Sequence, residues 1–327
     1  MNTTVNGSSC SFLPNPTAEK IGRTFAYCLI LVVSLVGNSF IGIIVYKTQT
    51  LRKPINYFIV NMAMSDLLFP IFLLPVWIEE LYMGTEWRIS GPLGQALCKL
   101  VFFLPNVSMF VSIQSLVLIA VDRYGAVVYP LRSPLISSKL CPFFILATWI
   151  AAMAVDSPFF VALKLVEHSN GKLYCTADSN DVFRLSSSFA NYILATTVVF
   201  FYTPIALLVI LYCAIVVKLK TQKIPGEQSV DAEQRRAKRN RNVLKMAIAI
   251  VVVFVLCWVP KSIIFLLSLF APDLGPCGLW LSFSITYFVA YSNCAINPCI
   301  CFMFCGNYRQ GLKRLLKCFN AAQDRVN

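Results

Sequence analysis

Seven stretches of this chain are mostly apolar and long enough to cross a bilayer: about 24–46, 57–82, 96–121, 141–163, 189–217, 243–270 and 279–305. A helix rises 1.5 Å per residue, so about 20 apolar residues traverse a hydrocarbon core about 30 Å thick. The third stretch is the least uniform, carrying Lys99, Asn106 and Gln114. None alternates apolar and polar residues with period two, which argues against an outer-membrane barrel. Composition agrees: 57% of the residues are hydrophobic and 13% charged, against about 25% charged in a soluble domain. An ordinary soluble enzyme is excluded, and so is a disordered chain. Pro75, Pro158, Pro204, Pro260 and Pro298 fall inside spans, where neighbouring helices and water can re-satisfy the freed backbone groups. The fold class that follows is an all-α membrane protein, a seven-transmembrane helix bundle.

Charge orients it. With the N-terminus outside, the inner segments 46–55, 122–140, 218–245 and 306–327 hold 20 of the 28 Lys/Arg and 5 of the 15 carboxylates. That asymmetry is the positive-inside pattern, so the net charge of +13 reads as orientation. Nucleic acid is the wrong partner to infer, despite the run Arg235–Arg241. Residues 1–23 form an outer tail, 24–305 the bundle, and 306–327 an amphipathic helix with an inner tail. The first 20 residues lack the apolar core of a cleavable signal, so the first span is expected to insert the chain. Asn2 and Asn6 head glycosylation acceptors on the outer side. Asn15 is blocked by Pro16, and the Asn106 acceptor lies within a span. In the tail, Tyr308, Leu312, Leu315, Leu316 and Phe319 recur at spacings of three to four between basic residues. An interfacial helix is expected there, with Cys318 placed for palmitoylation.

Most of the 13 cysteines lie within spans, so they are no secreted disulfide framework. Cys28, Cys213, Cys257, Cys294 and Cys299 are expected to act as small buried hydrophobes. Cys98, Cys175, Cys10 and Cys277 lie on the oxidising side.

One marker then falls on each span in turn. Gly37-Asn38 lies in the first, Asn61-x-Ala63-x-Ser65-Asp66-Leu67 in the second, and Asp122-Arg123-Tyr124 closes the third. Trp149 sits in the fourth, Pro204 and Tyr212 in the fifth, and Phe254-x-x-Cys257-Trp258-x-Pro260 in the sixth. Asn293 and Asn297-Pro298-x-x-Cys301 close the seventh. The chain resembles a rhodopsin-like G-protein-coupled receptor over nearly its whole length. Asn293-Cys-Ala-Ile-Asn-Pro and the short third inner loop are most similar to the neuropeptide-receptor branch.

A charge at mid-membrane costs several kcal/mol and marks a functional or paired residue. Asp66 is such a residue, and Ser112, Asn293 and Asn297 lie at comparable depth on other helices. The resemblance implies that these four can hold a sodium ion; no other cofactor is expected. It also implies that Asp122, Arg123, Tyr124, Leu131, Tyr212, Asn297 and Pro298 serve the G-protein-coupling switch. The acid that often holds the arginine from the sixth helix is missing from Arg239-Asn240-Arg241-Asn242, and Cys301 replaces the usual tyrosine. The family joins Cys98 to Cys175, and Cys10 with Cys277 is expected to form a second bridge.

For the ligand, Pro105 stands where aminergic relatives carry aspartate, and Tyr291 where opsins carry the retinal lysine. A monoamine and a retinal Schiff base are therefore disfavoured. Lys261, just above Trp258, is expected to meet either an internal partner (Asp156, Tyr291 or water) or an acceptor at the buried end of a ligand. Glu79 and Glu80 are expected to receive a cationic group, with Met109 and Tyr291 completing the cavity. The function read here is a receptor that binds an extracellular peptide and activates a heterotrimeric G protein. The alternative is a receptor for a small anionic or lipid ligand. A transporter lacks visible repeats or broken-helix ion sites. Enzymatic chemistry is disfavoured by a single histidine, His168, and no metal-ligand cluster.

Overall fold

The computed structural model describes residues 16–129, 135–169, 171–177, 186–221, 230–270 and 276–323, with only the helical course described for 186–187, 230–240, 276–280 and 318–323. Leu131, Asn2, Asn6 and Cys10, and the side chains of Cys277 and Cys318, lie outside the described residues. The helices are α1 (Pro16–Lys47), α2 (Pro54–Asp66), α3 (Leu68–Met83), α4 (Gly91–Val128) and α5 (Cys141–Ala162). After the antiparallel pair β1 (Leu163–Glu167) and β2 (Leu173–Ala177) come α6 (Ser186–Thr197), α7 (Thr203–Thr221), α8 (Val230–Phe270), α9 (Pro276–Phe304) and α10 (Gly306–Gln323). Seven spans are long and apolar enough to cross a membrane, the second built from α2 and α3 and the fifth from α6 and α7. The long α4 runs through the middle, against α2, α3, α5, α7 and α8.

Two spans are interrupted, for local reasons. The second breaks at Leu67. Pro70 has no N–H to give the carbonyl of Asp66 four residues back, so the ladder loses a bond there. The fifth widens into a π-turn over Val198–Tyr202 just before Pro204. A proline ring clashes with the carbonyl one turn back, and a wider turn relieves that clash. Within that turn the Val198 carbonyl accepts both the Thr203 backbone N–H and, at 2.9 Å, the Thr203 hydroxyl. The widened turn carries Phe201 into the core, with its ring 6.2 Å from that of Phe254.

Small residues and amides set the helix contacts. A Cβ on Gly37 would lie 2.7 Å from the ring of Pro298, so α1 meets α9 there backbone to ring. Next to it, the Asn38 amide donates to the carbonyl of Cys294 at 2.9 Å. Asn61 joins three spans. Its amide donates to the hydroxyls of Ser115 (2.9 Å) and Thr148 (3.2 Å), and its oxygen accepts from the Trp149 indole at 2.9 Å.

At the outer end, Cys98 and Cys175 form a disulfide across 77 positions of sequence. It ties the start of α4 to β2. The Trp87 amide donates to the Leu173 carbonyl at 2.7 Å, pinning the first outer loop to the same hairpin. Lys172 meets Glu86 at 3.0 Å. That carboxylate holds the lysine above its usual range, so the lysine's side of the pair is fully charged at neutral pH and is lost as pH rises past the lysine's titration. At the inner end Tyr308 is fully buried and donates to Asn56 at 3.0 Å, docking α10 on the bundle.

Three of the five cysteines expected to be buried are not. Cys28, Cys213 and Cys299 are exposed on the bundle surface, whereas Cys257 and Cys294 are buried. A thiol needs no packing partner when its neighbour is hydrocarbon, so an apolar span does not reveal which of its faces turns inward.

Candidate ligand cavity and inner switch

A cavity of about 220 Å³ opens among the outer halves of the spans. Its walls are largely rings: Trp77 from α3, Phe102 and Phe110 from α4, Phe159 from α5, Tyr192 from α6, and Tyr287 and Tyr291 from α9. Trp258 lies at the inner limit, 6.0 Å ring to ring from Phe254 below it. Met109 lines the same space.

Lys261 enters this cavity inside a cage of rings. Its ammonium lies 4.9 Å from the Trp258 ring, 4.7 Å from Tyr287 and 5.0 Å from Tyr291. Ring faces attract a cation, more strongly where water is excluded. Its one hydrogen bond among the described residues is a long 3.4 Å contact to the Tyr291 hydroxyl. Asp156 lines the same cavity from α5 with Asn106 beside it. Its Oδ2 is buried and bonds no donor among the described residues. A carboxylate with a free lone pair thus shares one small chamber with an ammonium, and the two do not form an ion pair.

Glu79 and Glu80 sit elsewhere. They line a second cavity of about 340 Å³ between α3, the first outer loop and the start of α4. The two cavities lie on different faces of α3: Leu73 and Trp77 turn to the first, Phe72, Val76 and Glu79 to the second. Glu79 reaches Arg88 of the loop at 4.0 Å.

Midway down, Asp66 is buried and both its oxygens are used. Oδ1 accepts from Ser112 at 3.0 Å and Oδ2 from Asn297 at 2.8 Å. The carbonyl oxygens of Asn293 and Asn297 are also buried, with no donor among the described residues. Three of the four proposed sodium ligands are thus hydrogen-bonded to one another, and Asn293 stands at their level on α9 unbonded through its oxygen.

At the inner end Arg123 bonds Asp122 twice, at 2.5 and 3.1 Å. Among the described residues no second carboxylate touches it. The Tyr212 hydroxyl is buried without a hydrogen-bond partner among the described residues, and Cys301, fully buried, offers it no hydroxyl. Tyr124 stacks edge-on against Tyr129 at 6.3 Å.

Residues 37–300 match the family described as 7 transmembrane receptor (rhodopsin family). The chain belongs to the rhodopsin family of seven-transmembrane receptors. This receptor is 29% identical to the RYamide receptor of Drosophila melanogaster, over 94% of its own length and 68% of that protein's. It is 28% identical to the QRFP-like peptide receptor of Branchiostoma floridae (93% and 79%) and to neuropeptide FF receptor 2 of Mus musculus (88% and 70%). It is a G-protein-coupled receptor and a multi-pass protein of the plasma membrane, and its family is not one of enzymes.

Asp156 is the site residue that sequence reasoning undervalued, naming it only as an internal partner for Lys261. The available signal was an acid seven residues after Trp149 on the same apolar span.

Proposed function

We propose that this receptor takes the end of a short extracellular peptide into the 220 Å³ cavity and, on binding it, activates a heterotrimeric G protein. The observation that carries the reading is the unpaired coexistence of Asp156 and Lys261 in one ring-lined chamber. An occupant with a donor or cation for Asp156 and an acceptor for Lys261 satisfies both; a simple anion or a plain lipid satisfies one and leaves a buried charge opposed. Peptide ends combine such groups within one or two residues. Whole small-molecule pockets run to about 300–1,000 Å³, so a chamber of 220 Å³ admits an end and leaves the remainder outside. The peptide receptors among the relatives support the same class. Asp156 here takes the cation-receiving role expected of Glu79 and Glu80, which line the second cavity.

Binding acts inward through Trp258, Phe254 and Phe201, which stack in sequence below the cavity. The inner response is the release of Arg123 from Asp122, freeing a guanidinium for the G protein; Tyr124, Leu131, Tyr212, Asn297 and Pro298 belong to the same moving face. Asp66, Ser112, Asn293 and Asn297 supply an all-oxygen set fitting sodium, with two amide oxygens lacking donors among the described residues. Glycans on Asn2 and Asn6, a Cys10–Cys277 bridge, and palmitate on Cys318 beside the lipid headgroups complete the proposal.

The test is a library of short peptides, with free and amidated C-termini, applied to cells expressing the receptor with several chimeric G proteins. Peptide agonists are expected, and Lys261→Met should cost at least tenfold in potency, about 1.4 kcal/mol, at retained surface expression. Asp156→Asn should weaken basic peptides selectively. Activation by amines or lipids but by no peptide would overturn the ligand class, and unchanged potency in Lys261→Met would return that lysine to the scaffold.

A further inference from the structure

The second cavity has its own chemistry. Its lower wall is apolar: Ile71, Phe72 and Val76 from α3 face Leu97 and Val101 from α4. Ile71 is 51% exposed on the bundle surface, so this end borders membrane hydrocarbon. Its upper wall is polar, with Glu79, Glu80, Glu86 and Arg88 around Trp87. Eight residues of helix separate Ile71 from Glu79, a rise of about 12 Å toward the outer surface. Polarity therefore changes along the cavity in the direction, and over the distance, that it changes from acyl chain to headgroup.

Two further features specify the occupant. The three carboxylates exceed the single guanidinium on the cavity wall, and Glu86 is already paired to Lys172 from the hairpin. The surplus is negative and suits an ammonium. The indole Nε1 of Trp87 is buried and has no acceptor among the described residues, so it and Arg88 together offer donors to an anionic oxygen. A cation, an anionic oxygen and an apolar chain coexist in one common class of molecule. We infer that this cavity is a binding site for a zwitterionic phospholipid of the outer leaflet, its ammonium against the glutamates, its phosphate toward Trp87 and Arg88, and its acyl chain along Ile71, Phe72 and Leu97. The roof is rigid enough to serve as a site. The Trp87–Leu173 hydrogen bond and the Cys98–Cys175 disulfide both tie this loop region to the hairpin.

The site is independent of the peptide reading, and its test needs no agonist. Receptor in nanodiscs of mixed phosphatidylcholine and phosphatidylglycerol is extracted into mild detergent, and retained lipid is weighed by native mass spectrometry. Wild type should keep phosphatidylcholine over phosphatidylglycerol by at least tenfold. The Glu79→Gln/Glu80→Gln pair, and separately Trp87→Phe, should each reduce that preference to near unity. Unchanged thermal midpoints in lipid-free detergent are the check on folding. Should the paired variant fail to fold, a phosphatidylcholine carrying a photoreactive acyl chain decides on the wild type, with crosslinks expected in 71–76 and 97–101. Equal retention of both lipids, a preference that survives both substitutions, or crosslinks spread evenly over the spans would overturn the assignment. So would protection of these residues by a basic peptide with no lipid retained.

Discussion

Asn61 shows how a buried amide in a membrane bundle is settled: both its N–H donations and its carbonyl have partners on other spans. Hydrogen bonds between membrane helices are worth about 0.6 kcal/mol on average and up to about 1.7. Asn61→Ala removes three, so a loss of about 2 kcal/mol is expected, read as a lower thermal midpoint in detergent. Trp149→Phe removes one and should cost about a third as much. Asp66 makes a different prediction. Asp66→Asn should abolish any effect of sodium on agonist affinity, measured in sodium against a large organic cation; an effect that persists removes Asp66 as a ligand. Asp66 and Arg123 are legible in the sequence because a charge in or beside hydrocarbon needs a reason. Asp156 is harder to read. It lies near the outer end of its span, where an acid can equally face water, and only the fold shows Lys261 and Tyr192 lining the same chamber.

Among the elements, the α1–α9 contact is the most exacting. A Cβ at Gly37 would lie 2.7 and 2.8 Å from two ring carbons of Pro298, and a proline ring cannot swing aside. Gly37→Ala should cost about 1–3 kcal/mol by overpacking, seen as reduced surface expression and a lower thermal midpoint. Gly125→Ala is the contrast: its Cβ would meet the Leu135 side chain, which is exposed and can shift, so a smaller loss than at Gly37 is expected. The seven spans were readable from hydropathy alone, since length and composition decide them. Their interruptions were not. Pro70, unremarked in the sequence, breaks the second span, whereas α5, α8 and α9 pass Pro158, Pro260 and Pro298 as single helices. The effect of a proline depends on whether neighbours satisfy the carbonyl it frees, a tertiary matter.

For the molecule as a whole, the arginine of the proposed inner switch meets one carboxylate among the described residues. Arg123 is held by Asp122 alone among the described residues, and the sequence carries Asn240 in the stretch where the family resemblance implies a second acid. Restoring it with Asn240→Glu should lower ligand-free signalling by roughly 5- to 150-fold, the range of a 1–3 kcal/mol coupling. An unchanged basal level in a G-protein activation assay would show that the lock is complete without it.

The wall between the two outer cavities is a single helix, α3, with Leu73 and Trp77 on one face and Phe72 and Val76 on the other. If an occupant on one side shifts α3, the other cavity shares that shift, because the same helix lines both. Thermodynamic reciprocity then sets a quantitative condition. Whatever factor a phospholipid imposes on agonist affinity, agonist must impose on retention of that phospholipid. With such coupling, the receptor would report the composition of its own outer leaflet as a change in sensitivity, and each cell's membrane would help to set the peptide concentration at which that cell responds.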